Sequence, residues 1–240
     1  MNINQGAAPL KNPLCVALDV DDEKRALDLV DQLSEVVGGF KIGPRLILRY
    51  GQILIHKISK MAPVFVDCKY FDIPSTMEAA VRASFEAGAS LVTIHAMAGS
   101  ETLQRLAKVE QGLSAQRPFR ILAVTILTSW DEKSLPTIFK SQKISEHVQE
   151  LARLVKHSGL NSVVCSPHEI DLLKNQGLYL LTPGIRFAED ASDDQKRIMG
   201  PFEAMQKGSS ALVVGRPIIE AKNPLQAATE YLTAIYEAKK

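Results

Sequence analysis

A row of alternating charges follows an apolar run in the segment VFVDCKYFDIPST. Asp67, Lys69 and Asp72 come directly after the apolar residues 64–66. In an extended chain residues two apart share a face, so Asp67 and Lys69 are expected to point the same way. Buried ionised groups are unfavourable unless they are paired, so a packed row must be mutually compensated. The pattern predicts a charged site that performs chemistry. The alternative is a solvated ladder of salt bridges at a strand end.

Eight short apolar runs alternate with longer amphipathic segments along the chain. The predicted strands cover residues 14–19, 39–43, 64–69, 91–95, 121–125, 162–165, 179–182 and 211–215. The predicted helices cover residues 23–36, 45–60, 75–87, 100–111, 144–157, 167–175, 201–207 and 224–238. Strands that are apolar throughout, each followed by a helix, indicate a parallel sheet covered by helices.

Eight such units in a chain of 240 residues predict a closed (β/α)8 barrel, an α/β fold of one domain. We expect the barrel to span residues 13–240, after a flexible N-terminal segment of residues 1–12. An open doubly wound sheet is the alternative. It would favour a glycine-rich turn after the first strand, where this chain has ALDVDDEKR.

The composition excludes several classes of protein. A net charge of +1 provides no long-range field for nucleic acid or for an anionic membrane. No stretch approaches the roughly 20 apolar residues that span a bilayer, and the first residues lack the apolar core of a secretory signal. We therefore expect a cytoplasmic protein with neither nucleic-acid nor membrane partners.

The three cysteines are few and widely spaced. Cys15, Cys68 and Cys165 form neither an even set nor a CxxC pair, which argues against a disulfide framework and against a cysteine metal site. All three are expected to be small buried residues within strands.

If the barrel prediction holds, the polar residues that end its strands meet at one rim, where barrel enzymes build their sites. Along this rim Lys41, Asp67, Lys69 and Asp72 alternate two positive and two negative charges. Such a network is nearly neutral overall, so each group can remain ionised. The rim residues are Asp19, Lys41, Asp67, Lys69, His95, Thr128, Ser129, Arg186 and Arg216.

A phosphate site is indicated separately, after strands 7 and 8. Gly184 and Arg186 follow strand 7, and Gly215 and Arg216 follow strand 8. Glycine lets backbone N–H groups approach a phosphate, and the planar fork of arginine matches its oxygens. Either glycine–arginine pair, taken alone, could simply form a turn without binding phosphate. The polar, aperiodic segment 184–199 is expected to be a mobile lid over the phosphate.

The motifs ALD, FKIG, DCKYFDIPST, AVTILTS, TPGIR, DQKRIM and VVGRPI, in this order from about residue 13 to residue 232, resemble the orotidine 5′-phosphate decarboxylase family. The resemblance implies a (β/α)8 homodimer that uses no metal or organic cofactor. It also implies a reaction, the conversion of orotidine 5′-monophosphate to uridine 5′-monophosphate and CO2 in pyrimidine biosynthesis.

The resemblance implies roles for individual residues. Lys69 would protonate C6 of the pyrimidine, within a catalytic row that includes Lys41, Asp67 and an Asp72 from the partner subunit. Thr76 would also reach across the dimer. The remaining substrate-binding residues would be Asp19 and Lys41 at the ribose, Thr128 and Ser129 at the pyrimidine, Arg186, Gln195, Gly215 and Arg216 at the phosphate, and Pro183. Two residues depart from the family pattern: Phe71 stands where many members have His, and Ser75 where many have Asn.

Three other functions stay open from the sequence. A metal-dependent sugar-phosphate decarboxylase or aldolase of the same superfamily shares the Asp-x-Lys strand but needs carboxylate ligands for a divalent ion. A phosphosugar isomerase would need a carboxylate base at the end of strand 6, where this chain has VVCS. The third is a nucleotide-binding protein without catalysis.

His95 has no second His or Glu at metal-ligand spacing, which favours a structural role for it.

Overall fold

Eight parallel strands close into a barrel in the order in which they occur along the chain. This is a computed structural model, and it describes residues 9–188 and 199–239. The strands are β1 (Leu14–Ala17), β2 (Gly39–Ile42), β3 (Val64–Tyr70), β4 (Ala89–His95), β5 (Arg120–Val124), β6 (Ser162–Val164), β7 (Tyr179–Thr182) and β8 (Ala211–Val214). Pairing of β8 with β1 closes the barrel. The predicted (β/α)8 fold is confirmed.

Helices connect the strands on the outside of the barrel. They are α1 (Glu23–Leu33), α2 (Pro44–Ser59), α3 (Pro74–Glu86), α4 (Ser100–Ser114), α5 (Ile144–His157), α6 (Ile170–Leu173), α7 (Pro201–Lys207), α8 (Arg216–Ile219) and α9 (Pro224–Glu237). Side chains cap the starts of two of them: Asp22 accepts the Arg25 N–H at α1, and Asn223 accepts the Gln226 N–H at α9.

The helix predicted over residues 167–175 is instead three short pieces. A 3-10 turn over Pro167–Glu169 precedes α6, and a second 3-10 turn over Lys174–Gln176 follows it. The first turn is held by a capping box, in which Ser166 accepts from the His168 N–H and Glu169 accepts from the Ser166 N–H. These local hydrogen bonds compete with a continuous helix. The short helix α8 was not predicted from the sequence.

Two apolar layers hold the barrel together. One fills its interior with inward-facing side chains, among them Phe65, Leu91, Val124 and Leu181. The other lies between the strands and the helices and includes Leu29, Phe40 and Tyr231. Alternation along each strand sends successive side chains to the two layers. The barrel mouth is thus carried on strands that are buried on both faces.

The chain that precedes β1 packs against the end of the barrel where the strands begin. Leu10 is buried in the interior layer, and the Lys11 N–H donates to the Gly38 carbonyl at 2.9 Å. A side-chain carbon at Gly38 would lie 1.9 Å from the Asn12 carbonyl oxygen, so this approach requires glycine. Residues 1–8 lie outside the described residues, and the flexibility of segment 1–12 stays a prediction.

Among the helices of the described ranges, none combines the length and apolarity needed to cross a membrane.

Candidate active site

Four charged side chains, carried on β2, on β3 and just after β1, meet at the C-terminal mouth of the barrel. The Lys69 Nζ lies 2.8 Å from Asp67 Oδ1, and the Lys41 Nζ lies 3.5 Å from Asp67 Oδ2. Lys41 also contacts Asp19 Oδ1 at 3.4 Å. The Asp67 carboxylate is therefore shared by two ammonium groups, one on each oxygen. These contacts form a compensated network of Lys41, Asp67 and Lys69, three of the four residues in the predicted row, and Asp72 lies outside it in this subunit.

The side chains of this network differ in exposure. The side chains of Asp67 and Lys41 are 14% and 15% exposed, whereas that of Lys69 is 40% exposed. Lys69 therefore combines a buried partner with access to the cavity. A cation of this kind can meet a substrate while its position is fixed by the protein.

The backbone at Lys69 is irregular. The pairing of β3 with β4 shifts register between Val66 and Tyr70, and Lys69 has a φ of 49°, in the left-handed region. A side chain in that region costs about 1–2 kcal/mol, and such strain concentrates at functional sites. Regular alternation therefore does not set the direction of Lys69. The bulged strand and the ion pair with Asp67 set it together.

Thr93 is a member of the network that the sequence reasoning missed. This buried residue of β4 accepts the Lys69 backbone N–H at 2.8 Å through its hydroxyl, and it donates to Asp67 Oδ1 at 2.9 Å. It thus ties the strained backbone to the carboxylate. The sequence feature that could have revealed Thr93 is the alternation of side chains along β4, which directs Leu91, Thr93 and His95 to one side.

The charged groups of the network shift one another's pKa values. Burial alone would raise the pKa of Asp67, but the Lys41 and Lys69 ammoniums and the hydrogen bonds from Lys69 and Thr93 outweigh it and lower that pKa. Burial would lower the pKa of Lys41, but the Asp67 and Asp19 carboxylates raise it above the usual value. Both groups stay ionised at neutral pH, as the alternating pattern predicts.

The network forms one wall of a cavity of about 350 Å³. Apolar side chains from the interior layer form its floor, including Phe65, Val124 and Leu181. The cavity brings together eleven of the residues singled out from the sequence: Asp19, Lys41, Asp67, Lys69, Thr128, Ser129, Pro183, Gly184, Arg186, Gly215 and Arg216. A volume in this range suits a small organic ligand.

Two arginines line the cavity on the side of β7 and β8. Arg186 is 5% exposed and follows β7, and its backbone N–H donates to the Met199 carbonyl at 3.1 Å. Arg216 begins α8 after Gly215, where an added Cβ would lie 3.5 Å from Asp19 Oδ2. The cavity therefore has cations on two sides. Gln195 and most of the segment expected to form a lid lie outside the described residues.

Asp72 and Thr76 do not line this cavity. Both are exposed, and the Asp72 carboxylate accepts its own neighbour's N–H, that of Ile73, at 2.6 Å. Phe71 and Ile73 are also exposed, at 63% and 64%. The Phe71 ring lies 5.5 Å from that of His95. A charged residue between two exposed apolar ones forms a patch beside the mouth.

Two of the three cysteines meet expectation, and one does not. Cys15 and Cys165 are buried, although Cys165 lies just beyond β6. Cys68 is only partly buried, because β3 is irregular after Val66 and its residues there leave the interior.

In the described residues, no group of three or more His, Cys, Asp or Glu side chains is arranged to hold a metal ion.

Fold and site together define a (β/α)8-barrel enzyme whose charged site lies at the C-terminal mouth. The Orotidine 5′-phosphate decarboxylase / HUMPS family model matches residues 12–231. The chain belongs to this family.

Named relatives agree with the family match. An orotidine 5′-phosphate decarboxylase of Shewanella sediminis is 40% identical over 230 residues, which cover 94% of this chain and 96% of the relative. One from Carboxydothermus hydrogenoformans is 41% identical over 225 residues, covering 91% and 94% of the two chains. The crystal structure of orotidine 5′-phosphate decarboxylase from Lactobacillus acidophilus superposes with a TM-score of 0.82 at 31% identity, covering 94% of this chain and 99% of that chain.

Proposed function

We propose that this protein converts orotidine 5′-monophosphate to uridine 5′-monophosphate and CO2, without a metal or organic cofactor, in the synthesis of pyrimidines. The observation that carries the proposal is the Lys69 ammonium, held 2.8 Å from Asp67 at the wall of a cavity that two arginines also line. Family membership and the names of the relatives support the same reaction.

The chemistry needs a fixed positive charge at one carbon. When the bond from C6 to the carboxylate breaks, CO2 leaves and the electron pair remains on C6, where no adjacent carbonyl delocalises it. A preorganised ammonium stabilises this developing charge far better in a cavity than in water. Lys69 then transfers one Nζ proton to C6, which leaves uridine 5′-monophosphate and a neutral amine that regains a proton from solvent.

Asp67 has two roles in the proposal. Its contacts to Lys69 and Lys41 keep both ammonium groups charged and oriented. Its negative charge also lies on the side where the substrate carboxylate would sit, and this disfavours the bound substrate relative to a transition state that has lost that charge. Thr93 holds Asp67 in place through its hydroxyl.

The two arginines supply binding energy at the far end of the substrate. Arg186 and Arg216 would donate charge-assisted hydrogen bonds to the 5′-phosphate oxygens, with Gln195 as a further donor. Asp19 and Lys41 would bind the ribose hydroxyls, and Thr128, Ser129 and Pro183 would contact the pyrimidine. Binding energy gained at a remote phosphate can be used to hold the reacting carbon against Lys69.

The proposed active form is a homodimer that shares its sites. Asp72 and Thr76 would enter the partner's cavity, where Asp72 would complete the acid–base–acid row around Lys69. The exposed apolar side chains of Phe71 and Ile73 support an interface here, because they flank Asp72 on the surface of one subunit. We place the protein in the cytoplasm, which suits its three free cysteines.

The direct test is ultraviolet absorbance of orotidine 5′-monophosphate mixed with purified protein in the presence of a strong chelator. We expect complete conversion at an unchanged rate with and without chelator, and release of one CO2 per uridine 5′-monophosphate. Activity that chelator abolishes, and that added divalent metal restores, would point to the metal-dependent decarboxylases or aldolases. Binding without any spectral change would point to a nucleotide-binding protein.

A further inference from the structure

The long loop between β5 and α5, residues 125–143, forms one wall of the cavity at the barrel mouth. Thr128 and Ser129 line the cavity, and they are the two middle residues of a turn. The Trp130 N–H closes this turn by donating to the Leu127 carbonyl at 3.0 Å. The position of Trp130 therefore sets how the two hydroxyls face the cavity. Ordered loops of this length are typical of functional sites.

Three ring side chains connect this turn to helix α5. The centroid of the Trp130 ring lies 6.2 Å from that of Phe139, and the Phe139 ring meets the His147 ring edge-on at 5.3 Å. Trp130 and Phe139 are also partly buried against the apolar layer between strands and helices. Ring pairs at such distances attract each other beyond the area that they bury. The three rings therefore form a continuous contact from α5 to the turn.

His147 holds the backbone of the loop as well as a ring. Its Nε2 lies 2.7 Å from the Phe139 carbonyl oxygen, which can only accept, so Nε2 carries the proton and donates it. His147 is itself fixed near the start of a regular helix. A second attachment lies nearby, where Glu132 Oε1 accepts the Ile144 N–H at 3.1 Å. The loop is thus joined to α5 by two side chains, and His147 is the one that continues to the turn.

The turn lies on the side of the cavity away from the two arginines. In the closed barrel β7 and β8 lie opposite β3 and β4, and β5 is the neighbour of β4. A ligand whose phosphate meets Arg186 and Arg216 therefore extends its other end toward Lys69 and the turn. Thr128 and Ser129 supply hydroxyls there, which suit the carbonyl and N–H groups of a pyrimidine ring. This step rests on the function proposed above.

We propose that His147 is a positioning residue for the pyrimidine end of the site. It holds Phe139 by ring and carbonyl, and Phe139 holds Trp130. Trp130 in turn closes the turn that carries Thr128 and Ser129. A hydroxyl that is fixed before the ligand arrives contributes more to binding than one on a mobile loop, because its ordering has no further entropic cost. His147 thereby acts on recognition of the ring from outside the cavity.

The loop contains its own reporter, because Trp130 is the only tryptophan of the chain. Its fluorescence, and its quenching by acrylamide, measure the exposure of the loop in the folded protein. In His147→Ala we expect a shift of the emission to longer wavelength and a rise in the quenching constant by about twofold, as the loop leaves α5. Circular dichroism should show the same helix content as in the parent protein, which separates loop release from unfolding.

Binding of two ligands tests the effect on the site. By calorimetry we expect His147→Ala to bind uridine 5′-monophosphate about tenfold more weakly, and ribose 5-phosphate, which lacks the ring, as the parent does. His147→Gln keeps a side-chain N–H that can donate to the Phe139 carbonyl and should recover most of the lost affinity. The matched control is His157→Ala in the exposed last turn of the same helix, which should bind both ligands like the parent.

Several results would overturn the proposal. One is an equal loss of affinity for both ligands in His147→Ala, and another is a Trp130 quenching constant that does not change. Failure of His147→Gln to bind uridine 5′-monophosphate better than His147→Ala would also overturn it. A parent protein that binds this nucleotide without decarboxylating orotidine 5′-monophosphate would overturn the proposed reaction alone. A parent protein that does not bind the nucleotide at all would overturn both.

Discussion

The Asp67 carboxylate receives the Lys69 ammonium on Oδ1 at 2.8 Å and is also bound on that oxygen by the Thr93 hydroxyl. Thr93 in turn accepts the Lys69 backbone N–H. The ammonium and the peptide of the same lysine are thus connected through one carboxylate and one hydroxyl. This closed set of contacts explains how a lysine with a φ of 49° is kept in place beside the cavity.

Removal of the Lys69 ammonium should abolish catalysis while leaving product binding largely intact. In Lys69→Ala we expect turnover of orotidine 5′-monophosphate to fall by at least about 10³-fold, because the preorganised charge at C6 is lost. The affinity for uridine 5′-monophosphate, measured by calorimetry, should change little, since the phosphate contacts remain. A decrease in turnover of less than tenfold would remove Lys69 from the proposed chemistry.

The strained backbone at Lys69 predicts that glycine is more stabilising than alanine at this position, the reverse of their order in a helix. The free energy of unfolding of Lys69→Gly should exceed that of Lys69→Ala by about 1 kcal/mol, because glycine adopts a positive φ without the steric penalty of a Cβ. Urea denaturation would measure the difference. The matched control is Lys24 in α1, where alanine should be the more stable of the two substitutions by about 1 kcal/mol. The same order at both positions would argue against strain at Lys69.

A shared site predicts complementation between two inactive variants. Lys69→Ala and Asp72→Ala should each be nearly inactive alone. After subunit exchange, half of the dimers combine one subunit of each kind and contain one intact site, so activity should return to about a quarter of the parent value. Each variant mixed with itself is the control. No recovery despite demonstrated exchange would mean that Asp72 does not act in the partner's site.

Arg216 should matter for the phosphate and not for the reacting ring. In Arg216→Ala we expect KM for orotidine 5′-monophosphate to rise by about 10²-fold, as a charge-assisted pair worth 1.5–3 kcal/mol or slightly more is lost. The matched substrate is orotidine, which lacks the phosphate and should react equally with both proteins. An unchanged KM for the phosphorylated substrate would place Arg216 outside the phosphate site.

Glu110 predicts a pH dependence of stability that one substitution removes. Its pKa is raised from 4.5 to about 7 in the folded protein by burial, against which the Ile121 N–H and Arg120 act. Between these values the folded state retains a proton that the unfolded state has released, so the free energy of unfolding falls as pH rises, by up to about 3 kcal/mol.

The substitution Glu110→Gln keeps an acceptor for the Ile121 N–H but cannot ionise. We expect it to match the parent protein near pH 4 and to be the more stable protein by up to about 3 kcal/mol at pH 8. Chemical denaturation at a series of pH values would measure this difference. A difference between the two proteins that stays constant from pH 4 to 8 would show that Glu110 titrates normally.

The amino-acid sequence by itself determined the barrel and the composition of its mouth. Short runs that are apolar throughout, each followed by an amphipathic helix, bury both of their faces in a closed parallel sheet covered by helices. In such a barrel every strand ends at the same rim. Residues as distant along the chain as Asp19 and Arg216 could therefore be assigned to one cavity from their positions after strands alone.

Only the tertiary structure decided the features that depend on contacts between strands. The role of Thr93 arises from its proximity to Asp67 across the β3–β4 pairing, and the left-handed backbone of Lys69 arises from a register shift that local propensity does not encode. Sequence periodicity reports which face a side chain takes, whereas hydrogen-bond partners and voids depend on how distant segments pack.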